Sequence, residues 1–363
     1  MIRVLVVDDS SVYRMLLKKM LDAFDDVEVV GVANGGRDAI AKIPNLKPDV
    51  LTLDMNMPDM DGMATLGVVS AKYPDVKVII VASETKNDAE RAVLVLEAGA
   101  FDFVLKPKAS DAEPIKLLRE ELHPKIRAAV SRSMFLNRSQ PESKSRKKES
   151  ATIMSVKSSA DKIVPPVRPA RFKPDIIAIG SSTGGPAALH EVMPVISGDM
   201  HVPIVIIQHM PKLFIESLAK RLDTDMSLHC CVGENDMILK PGCVYFAPGE
   251  LHMDVVRSGT DLMLKLNDSP PEHHCRPAVD VTLRSLALLA PAVQTLAVIL
   301  TGMGADGAAG AKLLSEKRCW VIAQDEESSV VWGMPGETVR MGAAHDVLPL
   351  DDIGGRINSL VSR

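Results

Sequence analysis

Aromatic side chains are scarce in this sequence: Phe, Trp and Tyr make up 3% of its 363 residues, against 46% for hydrophobic residues as a class. Cores must therefore be built from Val, Ile, Leu, Ala and the 19 Met, and stacking platforms for bases or sugars are disfavoured. Cysteine is sparse too. Cys230, Cys231, Cys243, Cys275 and Cys319 all fall in the last part of the chain, with no Cys-x-x-Cys pair and no signal-peptide pattern at the start. That predicts a reduced, cytoplasmic protein. No apolar run reaches the roughly 18 residues of a membrane span, so no direct membrane insertion is expected.

A large excess of one charge is also missing, since the formal net charge is −5. The sum hides three unlike blocks: residues 1–136 carry −3, residues 137–174 carry +7 and residues 175–363 carry −9. Two acidic bodies joined by a basic strap do not make a duplex-binding surface, and no nucleic-acid partner is expected.

What is present is alternation. At roughly 150 residues per domain the length predicts about two domains. Residues 1–136 place short Val/Ile/Leu runs at 2–7, 28–33, 49–53, 77–82 and 101–105, with helical stretches near 11–24, 36–43, 62–72, 87–98 and 111–131. Strict strand–helix alternation implies a parallel, doubly wound sheet. Residues 137–174 hold seven Ser, five Pro and ten basic residues, which reads as a flexible linker. From 175 to 363 a second α/β pattern has strands near 176–179, 203–207, 243–246, 251–256, 262–266, 294–300 and 319–323. Helices are predicted at 186–196, 212–222, 277–289 and 306–316. Missing helical spacers predict an antiparallel section around 243–266.

In a doubly wound sheet, residues after the carboxyl ends of strands converge on one crevice. In the first unit those ends carry Asp8 and Asp9, Asp54, Ser83 and Lys106. Crowded carboxylates repel unless a cation joins them, and Mg²⁺ takes such oxygen ligands. One carboxylate can then act as nucleophile toward phosphorus, with Lys106 and the Ser83 hydroxyl holding phosphoryl oxygens.

In the second unit, Ile176–Ile179 runs into Gly180-Ser181-Ser182-Thr183-Gly184-Gly185-Pro186, a Gly-x-Ser-x-Gly in a strand–turn–helix setting that exposes a serine hydroxyl. Ser182 is the candidate nucleophile. A base is offered by His209 after the next strand, and an orienting acid by Asp306 in Thr301-Gly302-Met303-Gly304-Ala305-Asp306-Gly307. Main-chain N–H groups at Thr183 or Met303 are oxyanion candidates between which spacing does not choose. The same glycines spell Gly-x-Gly-x-x-Gly with Asp325 beyond, but the unit lies late in its domain, which argues against a dinucleotide site.

The motifs Val6-Val7-Asp8-Asp9-Ser10, Leu53-Asp54-Met55-Asn56-Met57-Pro58-Asp59-Met60-Asp61-Gly62 and Lys106-Pro107 resemble the receiver domain of bacterial two-component response regulators. The resemblance implies Asp54 as phosphoacceptor from a histidine kinase, with Asp8, Asp9, Asp54 and Asn56 at a Mg²⁺ site. It also implies Ser83 and Lys106 as the switch hydroxyl and phosphoryl-pairing lysine.

Beyond the linker, Ile179–Gly185, Gln208-His209-Met210-Pro211, Arg276-Pro277-Ala278-Val279-Asp280 and Leu300–Gly307 resemble the chemotaxis protein-glutamate methylesterases. That resemblance implies an α/β chain of two doubly wound domains, a flavodoxin-like receiver and a Rossmann-like methylesterase domain. It implies a Ser182, His209, Asp306 triad that hydrolyses glutamate methyl esters on chemoreceptors without a cofactor, and deamidates receptor glutamines. A chemotaxis histidine kinase is the implied phosphodonor, and Arg276 a candidate contact for the acidic receptor surface. The unphosphorylated receiver would cover the triad; two acidic domains lead us to expect an apolar interface, helped by the basic linker.

Overall fold

The computed structural model describes residues 1–107, 114–138, 166–169 and 172–362. The first sheet holds β1 (Ile2–Val7), β2 (Val27–Ala33), β3 (Val50–Asp54), β4 (Lys77–Ala82) and β5 (Asp102–Leu105). Its order is β2-β1-β3-β4-β5 and every pairing is parallel. Between and after the strands run α1 (Ser11–Leu21), α2 (Gly36–Leu46), α3 (Gly62–Lys72), α4 (Lys86–Glu97) and α5 (Pro114–Arg138). Helix starts are set locally: the side chains of Ser10, Asp61 and Thr85 accept the N–H groups of Tyr13, Ala64 and Asp88. Strand β3 is buried at every residue, so it reads as a continuous apolar run and not as an alternation. Helix α5 continues two residues into the stretch read as linker; residues 139–165 of that stretch lie outside the described residues.

The second sheet contains β6 (Ile176–Ser181), β7 (Ile204–Gln208), β8 (His229–Val232), β9 (Cys243–Phe246), β12 (Thr295–Ile299), β13 (Trp320–Gln324) and β14 (Asp346–Leu348). They lie in the order β14-β13-β12-β6-β7-β9-β8, all parallel. The intervening β10 (His252–Ser258) and β11 (Asp261–Asn267) form a separate antiparallel hairpin. The antiparallel section expected over 243–266 is thus half right: β9 joins the parallel sheet between β7 and β8, and β10 and β11, joined by the short turn at Gly259-Thr260, pair antiparallel. Helices α6 (Gly185–Val192), α7 (Lys212–Asp225), α8 (Val279–Leu289), α9 (Ala308–Glu316), α10 (Met334–Arg340) and α11 (Leu350–Val361) complete the unit.

The two sheets share packing. Phe103 on β5 stacks on Phe214 of α7 at 4.5 Å between ring centroids. Apolar residues of α4, including Ala89, Val93 and Leu96, belong to the same buried cluster as Leu189 of α6 and Leu218 of α7. Charges cross the same boundary: Lys220 pairs with Glu90 at 3.2 Å, and Glu97 lies 3.4 Å from Arg221 and 3.5 Å from His190. The interface is therefore mixed, where overall charge suggested an apolar one. Net charge averages over a surface, and here Glu90 and Glu97 of α4 meet the local cations Lys220 and Arg221 of α7. Arg168, in the described part of the basic strap, pairs instead with Asp346 of β14 at 2.7 Å.

Candidate active site

Order reverses around β1 in the first sheet and around β6 in the second, which opens a crevice at the carboxyl ends of the central strands. In the first crevice Asp8 follows β1 and Asp54 ends β3. Both are almost wholly buried, and Lys106 Nζ bridges them at 2.9 Å and 3.0 Å. Carboxylate oxygens of Asp8, Asp9 and Asp54 lie within 4.8 Å of one another. Burial raises the pKa of Asp54, an effect that Lys106 opposes. Burial would lower that of Lys106, but the two carboxylates win and raise it. One buried oxygen of Asp8 accepts no hydrogen bond and meets only the Lys106 charge, and three clustered oxygen donors suit a hard divalent cation. Asn56 is turned elsewhere: its Nδ2 donates to Asp88 and its Oδ1 accepts from Arg91, both at 2.7 Å. Its main-chain carbonyl is what it can still offer a metal. Ser83 lies just beyond β4, the strand paired with β3, and its N–H donates to Asp88 at 3.2 Å.

In the second crevice Ser182 follows β6 and opens the turn into α6. Its N–H donates to the Thr301 carbonyl at 3.0 Å, and its carbonyl accepts from the Gly185 N–H at 2.7 Å. Gly302, just past β12, backs onto it so closely that a Cβ there would lie 2.9 Å from that of Ser182, and this brings Met303 beside the nucleophile turn. His209 follows β7, and its N–H donates to the Ser181 carbonyl at 3.2 Å. The imidazole Nε2 meets Asp306 Oδ2 at 2.7 Å, with the two side chains 9% and 2% exposed. Three predicted residues, from β6, β7 and β12, are thus brought to one edge.

Asp306 is pinned. Its Oδ2 also accepts the Val279 N–H at 2.6 Å, and its Oδ1 accepts those of Asp280 and Gly307 at 2.8 Å and 2.9 Å. Burial alone would raise its pKa, but His209 and these amides outweigh it and the net shift is downward. For His209, burial favours the neutral ring, yet its hydrogen bond to Asp306 and the neighbouring Cys275 raise the pKa above the ordinary 6.5. Such a pair stabilises an imidazolium once formed.

Thr183 does something that spacing did not anticipate: its hydroxyl donates to Asp102 of β5 across the interface, at 2.5 Å. Asp102 is buried and faces Lys125 of α5 at 3.4 Å. Nothing in the sequence around Asp102 marks it, because its partner lies 81 residues away. Arg276 donates to the carbonyls of Asp268 and Ser269 in its own loop. It lines a cleft of about 700 Å³ with Lys212, Glu216, Glu250 and Asp268. Asp325, the acid of the dinucleotide alternative, caps its own turn by accepting the N–H and hydroxyl of Ser328.

Comparison with known proteins agrees with this geometry. A family model described as CheB methylesterase matches residues 177–357, and one described as response regulator receiver domain matches residues 4–115. A protein-glutamate methylesterase/protein-glutamine glutaminase of Nocardioides sp. is 39% identical over 365 residues, covering 100% of this chain and 96% of that protein. The Bacillus subtilis protein of the same name is 37% identical, covering 100% and 99%. Among solved structures, the catalytic domain of the Thermotoga maritima CheB methylesterase is 40% identical with a TM-score of 0.50, covering 52% of this chain and 99% of that one. Among the described residues no helix is long and apolar enough to cross a membrane.

Proposed function

The chain belongs to the CheB methylesterase family, and from that premise we propose its reaction: hydrolysis of glutamate methyl esters on methyl-accepting chemotaxis receptors, releasing methanol. Residues 1–136 act as the receiver, 137–174 as the linker and 175–363 as the catalytic domain, in the cytoplasm. The observation that carries the reading is the buried His209–Asp306 pair at the strand edge that also presents Ser182.

His209 takes the Ser182 hydroxyl proton as Ser182 Oγ attacks the ester carbonyl carbon. The C–O bond to the methoxy group then breaks, and His209 returns the proton to the departing methanol. Water repeats the sequence on the acyl-serine and leaves a glutamate carboxylate. Asp306 holds the ring and stabilises its cation. Main-chain N–H groups of Thr183 or Met303 stabilise the oxyanion. A receptor glutamine enters the same path with ammonia leaving, which is the glutaminase activity that the relatives' names carry.

Control resides in the receiver. Asp54 accepts a phosphoryl group from a chemotaxis histidine kinase, with Ser83 and Lys106 pairing its oxygens. Asp8, Asp9, Asp54 and the Asn56 carbonyl would hold a divalent cation, Mg²⁺ in this reading, which would supply neutralisation of phosphoryl charge there. The receiver docked through α4 and β5 occupies Thr183, and phosphorylation loosens that docking. Release of radiolabelled methyl groups from methylated receptors tests the reaction. The parent chain should release methanol and Ser182→Ala should lose essentially all activity; equal release by both would refute the reading.

A further inference from the structure

The mechanism above does not use the buried amide at the end of β7. Gln208, the last residue of β7, is 1% exposed and lies between nucleophile and base. Its Nε2 donates to the Ser182 carbonyl at 3.0 Å and to the His209 carbonyl at 3.3 Å, while its Oε1 accepts the Ser181 hydroxyl at 2.6 Å. The β6–β7 ladder ends at Ser181 opposite Gln208, so the nucleophile and base both sit just past the last paired residues. A Cβ on Gly185 would fall 2.0 Å from Oε1, so the glycine leaves the space that the amide fills.

We infer that Gln208 is the positioning residue that sets Ser182 relative to His209. The inference rests on the proposed assignment of those two as nucleophile and base. A side chain that only filled space at 208 would be replaceable by one of the same length and volume. Met is such a replacement, and it would leave the carbonyls of Ser182 and His209 and the Ser181 hydroxyl without this partner. Misplacing reacting groups by about 1 Å can cost about 10²-fold in rate. Gln208 is buried away from the substrate, so the loss falls on kcat and leaves KM nearly unchanged.

The test uses the full chain with a phosphodonor and methylated receptors, comparing Gln208→Met, Gln208→Glu, Ser181→Ala and Ser182→Ala with the parent. Gln208→Met should lower kcat by about 10²-fold at constant KM. Ser181→Ala should cost less, since both Nε2 bonds remain. Gln208→Glu should recover relative to the parent as pH falls, because a protonated carboxyl again donates a hydrogen bond, and Gln208→Met should not. Parental kcat in Gln208→Met and Ser181→Ala, or a Gln208→Glu deficit that is independent of pH, would overturn the inference. If Gln208→Met does not fold, Gln208→Glu and Ser181→Ala decide. Full activity in Ser182→Ala would overturn the reaction itself, which is a different result.

Discussion

At the scale of single residues, the proposed chemistry depends on one imidazole and what surrounds it. Burial pushes His209 toward its neutral form, and Asp306 at 2.7 Å reverses that shift. A base with a raised pKa is lost as pH falls through that pKa, so kcat/KM should climb with pH along a limb above 6.5. Asp306→Asn should lower the rate by on the order of 10⁴-fold and move the limb to lower pH, because the hydrogen bond to the carboxylate would be lost and burial would be opposed by Cys275 alone. A pH–rate profile of both proteins checks this, and a parental limb below 6.5 would contradict it. The convergence of Ser182, His209 and Asp306 on one sheet edge was legible in the sequence because each follows a strongly apolar strand, and strand ends of a doubly wound sheet converge. Gln208 and Thr301 were not, since a polar residue at a strand end looks the same whether it reacts, positions or merely caps. Their roles appear only in their hydrogen bonds to the nucleophile turn.

At the scale of elements, α4 is the part that connects the two crevices. Its amino-terminal Asp88 accepts from Asn56 and from the Ser83 N–H, and its far end presents Glu97 to Arg221 and His190. A change at the phosphoacceptor thus has a rigid element leading to the interface. Glu97 is 10% exposed but its partners Arg221 and His190 are 39% and 36% exposed, so solvent screens the pairing and Glu97→Gln should weaken docking by about 1 kcal/mol, raising the unphosphorylated esterase rate by about five-fold. An unchanged basal rate would show that the Glu97 cluster does not hold the receiver in place. Removing the hydrogen bond to Thr183 with Asp102→Ala should also raise the basal rate, and Asp102→Asn should raise it less, because an amide oxygen still accepts the hydroxyl. Basal methanol release measures both variants. Elements missed in the sequence failed for physical reasons. Strand β8 is four residues long with two Cys, and β14 only three. Helix α10 is only seven residues long and starts through Met334-Pro335-Gly336, and α11, although its buried Ile353, Ile357, Leu360 and Val361 follow a helical period, carries the poor helix formers Gly354-Gly355 at its centre.

At the scale of the whole molecule, the scarcity of aromatics has a clear counterpart: both sheets are packed with aliphatic side chains, and the Phe103–Phe214 stack lies between them. Two acidic bodies dock through local pairs of opposite charge, which raised salt should weaken. A receiver implies a divalent cation, and the proposed ester hydrolysis routes no step through one, so a chelator should abolish activation by a phosphodonor and leave basal methanol release unchanged. A chelator-sensitive basal rate would place a metal in the catalytic crevice. The most direct measurement is methanol release from methylated receptors by the full chain before and after a small-molecule phosphodonor, with Asp54→Asn alongside. The parent should accelerate and Asp54→Asn should stay at the basal rate; equal rates in all three states would contradict a phosphorylation-gated esterase.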